Sequence, residues 1–179
     1  MGLVRERNAQ AFNELYHRYH RRVFYYFYRM LGGVDEKAQD FLQDIFMKLV
    51  EKPEYFDTSK RFSTWLFSIA HNMCKNEYRK LAVRKVIDNE ASVDVAQQNE
   101  TDSATRTDLN LFTDQLFREL DQLSEEQKTA FLLRYREGFS IKEISQVLDC
   151  SEGTVKSRVF YTNKKLALKL EAFNPINNY

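Results

Sequence analysis

Lys156, Arg158, Lys164, Lys165 and Lys169 place five positive charges on one stretch, with no acid between the first and the last. Such a run suits phosphate neutralisation. The residues ahead of it say how it is presented. Ser140 and Glu143 have capping-box spacing, so the serine oxygen can accept an orphan N–H while the glutamate reaches back. Behind them Ile141, Ile144, Val147 and Leu148 recur at helical spacing. Asp149-Cys150 breaks that pattern, and Ser151 can cap a second helix with Val155, Val159, Leu166 and Leu170 inward. Two capped helices across a short turn, supported by a helical segment from Ser124 to Arg136, read as a helix-turn-helix. Its second helix is the one that enters a DNA major groove. A basic helix that is merely solvated is the competing reading, which the ordered caps and turn disfavour.

Two further groups could do chemistry. Tyr55, Phe56, Lys60, Arg61, Phe62 and Trp65, followed by His71, Asn72, Lys75, Tyr78 and Arg79, interleave rings with cations. Single-stranded nucleic acid is held by that pairing, bases on rings and phosphates on Lys or Arg. Phe62 and Trp65 suit ordinary core packing equally well. Asp40, Gln43, Asp44, Met47 and Lys48 stand three or four apart and share an outward helix face, either solvated or docked on a partner. His17 and His20 lack a third ligand and read as surface histidines, as does His71 near Cys74. Neither a metal nor a cofactor is expected. With no nucleophile–base pair, Gly-rich phosphate loop or paired carboxylates, no enzyme is expected.

The elements that must position these groups are helical. Gly and Pro are scarce, at 5 and 2 of 179 residues, which favours helices over turn-rich β structure. From Asn8 to Leu31, the positions Phe12, Leu15, Tyr16, Tyr19, Val23, Phe27 and Met30 give one long amphipathic helix, stopped by Gly32-Gly33. Asp35 can cap the next, with Ala38, Phe41, Leu42, Ile45, Phe46, Leu49 and Val50 as its apolar band and Pro53 closing it. A third helix starts near Ser63 and buries Leu66, Ile69, Ala70 and Met73.

The near-neutral total hides segregation. Residues 1–87 carry 16 basic against 10 acidic groups, residues 88–108 carry 1 against 6, and residues 109–179 balance at 10 each. The middle segment also loses apolar periodicity, so it cannot bury enough surface to offset its ordering entropy. The expectation is an all-α chain: helical domains at 1–87 and 109–173, an acidic flexible linker at 88–108 and a frayed tail at 174–179. Cys74 and Cys150 lack CxxC spacing and read as reduced core thiols. No run is apolar enough to span a bilayer and no signal-peptide pattern opens the sequence, so a cytoplasmic protein without membrane insertion is expected.

Four motifs carry a family resemblance: Asp40-Phe41-Leu42-Gln43-Asp44-Ile45-Phe46; Phe62-Ser63-Thr64-Trp65-Leu66-Phe67-Ser68-Ile69-Ala70-His71-Asn72; Leu123-Ser124-Glu125-Glu126-Gln127; and Glu143-Ile144 followed by Gly153-Thr154-Val155-Lys156-Ser157-Arg158. In this order and spacing they resemble the extracytoplasmic-function (ECF) sigma factors, alternative initiation factors of bacterial transcription. Residues 1–87 resemble region 2 and 109–173 region 4.

The resemblance implies partners: core RNA polymerase, through its β′ clamp helices and β flap, promoter DNA, and an anti-sigma factor. It implies that Asp40, Gln43, Asp44, Met47 and Lys48 dock on the clamp helices with Phe46 packed behind. Tyr55, Phe56, Lys60, Arg61, Phe62, Trp65, Asn72, Lys75 and Arg79 would take the melted −10 strand, with Phe56 and Asn72 lining a pocket for a flipped base. Ser151, Thr154, Lys156, Ser157, Arg158, Phe160, Tyr161 and Lys164 would read the −35 duplex. Many relatives continue that last run with Arg-Ala where this chain has Tyr161-Thr162, so no particular −35 sequence is implied. The rivals are a stand-alone helix-turn-helix regulator, whose front helices sense a ligand or dimerise, and a pure adaptor.

Overall fold

The computed structural model describes residues 2–56, 61–87 and 108–171. The linker and tail expectations therefore fall mostly, or wholly, outside the described residues. Every regular element among the described residues is helical: α1 (Gly2–Arg5), α2 (Ala9–Met30), α3 (Asp35–Glu51), a 3-10 turn (Pro53–Tyr55), α4 (Phe62–Ile87), α5 (Asp108–Asp121), α6 (Glu125–Phe131), a π-helical turn (Leu132–Arg136), α7 (Ile141–Leu148) and α8 (Glu152–Lys169).

Local chemistry sets the ends. Asn8 caps α2, its Oδ1 accepting the Ala11 N–H at 2.9 Å. The helix stops because Gly32 and Gly33 take φ of +82° and +77°, which costs glycine nothing. Gly33 then donates its N–H back to the Tyr28 carbonyl at 2.8 Å. Asp35 is not the cap of α3: Val34 holds that position, and Asp35, in the first turn, accepts from Gln39 instead. Both α6 and α7 open on complete capping boxes, Ser124 with Gln127 and Ser140 with Glu143. Asp149 ends α7 in the left-handed region, and Ser151 opens α8 by accepting the Thr154 N–H at 3.1 Å. That left-handed residue is what folds the helix pair into its tight turn.

The apolar residues then collect into one main core that crosses between the halves. Val23, Phe27, Ile45, Leu49, Leu66, Ala70 and Cys74 from the front half join Ala130, Leu133, Phe139, Ile144 and Val155 from the rear half. A smaller cluster of Leu120, Leu123 and Leu166, flanked by Leu116, Phe117, Phe131 and Leu170, seats α5 against α8. Tyr26 of α2 is 1% exposed, meeting Phe67 edge-on at 5.5 Å and hydrogen-bonding Thr129 across the seam at 3.2 Å.

Two sequence expectations need correction here. His71 is not a surface histidine: it is 4% exposed on the seam face of α4, with Nδ1 3.4 Å from the Thr129 hydroxyl. Cys150 is not a core thiol, since it sits half-buried in the turn, whereas Cys74 is fully buried and free. Burial pushes the Cys74 thiol well above its ordinary range, which makes it unreactive.

Candidate nucleic-acid interface

On α3 the outward stripe is intact. Asp40, Gln43, Asp44, Met47 and Lys48 are all exposed, while Phe46 is buried behind them against Tyr16 at 4.9 Å and Phe12 at 6.1 Å. Beside the stripe runs a groove of about 940 Å³, walled by Gln43, Met47 and Val50 from α3 and Phe12, Tyr16 and Phe24 from α2, with Arg136 also lining it. The groove did not follow from the sequence, although Tyr16 and Phe24 in a helix already rich in buried rings were the available signal.

The start of α4 gathers the aromatic residues. Phe56 lies edge-on to Trp65 at 5.1 Å and to Phe62 at 5.8 Å, and Tyr19 of α2 closes on Phe62 at 5.1 Å. Phe56 is 7% exposed, so in this structure its ring sits inside that cluster. Tyr55 closes the 3-10 turn, and Lys60 lies outside the described residues. Asn72, Lys75 and Arg79 are exposed along one face of α4, and Asn72 stands two turns, about 10 Å of rise, beyond Trp65.

Arg61 is exposed and spans to α7, its Nη1 donating to Glu143 Oε1 at 2.8 Å. That bond raises the guanidinium's affinity for its proton. On the other side, partial burial disfavours the Glu143 carboxylate, but Arg61 and the Ser140 cap outweigh it and hold the carboxyl below its usual range. Burial, followed by the charges of Lys75 and Arg158, drives His71 down to about 4 against the opposing pull of Glu126.

The unfolded chain therefore takes up a proton near pH 6.5 that the folded chain refuses until about pH 4. Stability is full above pH 6.5 and falls through that window, by on the order of 3 kcal/mol. Glu125, whose carboxyl burial raises, binds its proton more readily when folded and returns part of the loss. His71→Gln is expected to flatten the slope of unfolding free energy between pH 6.5 and 4 in urea titrations. An unchanged slope would remove His71 as its source.

On α8 the exposed face is Lys156, Ser157, Phe160, Tyr161 and Lys164, with the two rings 62% and 61% exposed. Free aromatic edges on a basic helix suit thymine methyls and base edges. The other candidates do not share this face. Ser151 and Thr154 are occupied in the cap, their hydroxyls 2.9 Å apart, and Arg158 is half-buried, reaching back to the Cys150 Sγ at 3.5 Å. Thr162 is completely buried with its hydroxyl unpaired, which the sequence reading did not anticipate.

Among the described residues no group of His, Cys, Asp and Glu could hold a metal ion, and no helix is long and apolar enough to cross a membrane.

Comparison with known proteins agrees with this layout. The Sigma-70 region 2 family matches residues 15–84 and the Sigma-70 region 4 family matches residues 113–166. SigL of Mycobacterium tuberculosis, an ECF RNA polymerase sigma factor, is 32% identical over 155 residues, 85% of each chain. The ECF RNA polymerase sigma-E factor of Haemophilus influenzae is 30% identical over 176 residues, 94% of this chain and 92% of its own. In fold, the chain is similar to the sigma factor RpoE in its complex with the anti-sigma factor NepR from Bartonella quintana, at a TM-score of 0.75 and 23% identity over 91% of this chain and 98% of that one. It is also similar to CnrH in complex with the cytosolic domain of CnrY, at a TM-score of 0.69 and 23% identity, covering 96% and 94%. With a region 2 bundle in front, a region 4 helix-turn-helix behind and relatives of this identity along nearly its whole length, the chain belongs to the ECF sigma factors, the alternative initiation factors of RNA polymerase.

Proposed function

We propose that the exposed stripe of α3, Asp40, Gln43, Asp44, Met47 and Lys48, docks on the β′ clamp helices of core polymerase. The exposed side of α4 with the Tyr19–Phe56–Phe62–Trp65 cluster takes the melted −10 strand, and α8 reads the −35 duplex. The carrying observation is the segregation of chemistry by element: an acidic-polar stripe on α3, cations beside clustered rings on α4, and a basic aromatic face on α8. Each matches what its target offers, since melted bases stack on rings and duplex phosphates attract lysines.

The protein acts in the cytoplasm, where polymerase and promoter are. It catalyses no reaction of its own. The apolar surface of the C-terminal half faces the β flap, and an anti-sigma protein is its natural regulator, by analogy with the relatives solved in such complexes.

A stand-alone helix-turn-helix regulator binds duplex DNA unaided, so the discriminating test is a gel shift of promoter fragments with and without core enzyme. Specific retention that requires core supports the sigma reading. Equal specific retention by the isolated chain contradicts it. Within the same assay, Lys164→Ala is expected to weaken all promoters alike and to lower the salt slope of log K by about 1. A loss confined to one promoter sequence would instead make Lys164 a base reader.

A further inference from the structure

One side of α2 carries four rings, each a turn from the next. Phe12, Tyr16, His20 and Phe24 follow one another at i, i+4, a row covering about 18 Å of helix rise. Phe12 and Tyr16 are stacked at 6.4 Å, and Tyr16 and His20 lie nearly parallel at 4.9 Å. His20 is held in the row by its Nδ1, which donates to the Tyr16 carbonyl at 2.9 Å. These rings form one wall of the groove of about 940 Å³ beside the α3 stripe, and Leu42, Met47 and Val50 of α3 form the other. Met47 and Val50 are 49% and 52% exposed, so the trough is apolar surface left open to water.

Charge divides the groove lengthwise. Phe27 pairs with Phe41 and Phe12 with Phe46, so α2 and α3 run antiparallel. Tyr25 and Gln39 therefore stand at one end of the groove, and Phe12 and Glu51 at the other. Arg136 lies over the Tyr25 ring at 4.5 Å, and Arg21 is one turn ahead of that tyrosine on α2. Both arginines line the groove, and neither is ion-paired among the described residues. Glu51, the one acid of the lining, is at the far end. Two guanidiniums at the head of an apolar trough complement a carboxylate on an alkyl chain. Their planar forks take the head bidentately, and the rings cover the chain.

We propose that this groove binds a free long-chain fatty carboxylate, with its head on Arg21 and Arg136 and its chain along the ring row. The volume lies in the range of small-molecule sites. Gln43 and Met47 belong both to the groove wall and to the stripe assigned to the β′ clamp helices, so an occupied groove excludes core polymerase. That consequence rests on the α3 assignment made above, and the binding itself does not.

The test titrates the full chain by calorimetry with octanoate, decanoate and dodecanoate, each below its micelle concentration. Affinity is expected to rise about threefold per added methylene, as burial of the chain requires. Dodecanol is expected to bind about tenfold more weakly than dodecanoate. Arg21→Ala with Arg136→Ala is expected to lose about tenfold for dodecanoate and nothing for dodecanol. Arg18→Ala with Lys142→Ala removes the same charge outside the groove and should leave binding unchanged. Val50→Glu, at an exposed position, should abolish it.

Equal dodecanoate affinity in the arginine variant and its control, or no dependence on chain length, overturns the proposal. So does dodecyl phosphate binding tenfold tighter than dodecanoate, which would give the groove to a phosphate-headed lipid. A ligand-free dimer that Val50→Glu dissociates would give it to a second copy and overturn the proposal too. Pull-down on core enzyme reads the exclusion: dodecanoate is expected to lower retention of the wild type about tenfold and to leave the arginine variant retained. Undiminished wild-type retention at saturating dodecanoate overturns the exclusion. Asp44→Arg separates the two readings. If that variant still holds core while dodecanoate binds as expected, the clamp-helix assignment fails and the fatty-carboxylate site stands.

Discussion

Replacing Asp44 with arginine is expected to weaken retention of core polymerase by more than about a hundredfold, which corresponds to about 3 kcal/mol. Asp44 is exposed on the outer face of α3, one turn from Asp40 and beside Gln43, with its neighbour Ile45 completely buried. The substitution therefore leaves the core untouched while reversing the charge at the centre of the stripe. Like-charge juxtaposition at a docked interface costs several kcal/mol, far more than a rim charge contributes to fold stability. The melting temperature should stay within a degree or two of wild type, as a surface change implies. Pull-down on immobilised core enzyme reads the effect. Wild-type retention by Asp44→Arg would move the polymerase contact off α3.

Phe67→Ala is the largest stability loss expected, about 3–5 kcal/mol. The ring is completely buried and touches two other segments, α2 through Tyr26 at 5.5 Å and the Arg22 guanidinium at 5.9 Å, and the turn ahead of α7 through Phe139 at 5.4 Å. Since the core is continuous across the halves, the variant should unfold in one transition at lower urea, whether followed by Trp65 fluorescence in the front half or by amide exchange of α7 in the rear. If the front probe shifts and α7 retains its wild-type protection, the halves do not share a core.

What could be read from the sequence was what local chemistry decides. Ser140, Glu143 and Ser151 announced their caps, Gly32-Gly33 announced the end of α2, and the α3 stripe followed from its spacing, because each depends on residues within a turn or two. What could not be read was the seam. Phe67 and His71 fall outside the single apolar stripe of α4, and a helix buried on two sides shows a blurred period. An acidic segment of low hydrophobicity between two helical patterns also argued for independent halves, which hid the Arg22–Glu137 and Arg61–Glu143 pairs, 115 and 82 residues apart.

The candidate site divided along the same line. The exposed face of α8 followed from helical geometry. By contrast, the folding of Phe56 into the ring cluster and the turning of Arg158 toward Cys150 depend on tertiary contacts. A lone arginine or phenylalanine carries no sequence signal for either.

The most direct test is multi-round run-off transcription from the native upstream regions of the source genome, using purified chain, core enzyme and nucleoside triphosphates. A discrete transcript that appears only when chain and core are both present, and disappears with Asp44→Arg, is the predicted result. Core enzyme that produces the same transcripts with or without the chain, from every upstream region tried, would contradict the assignment.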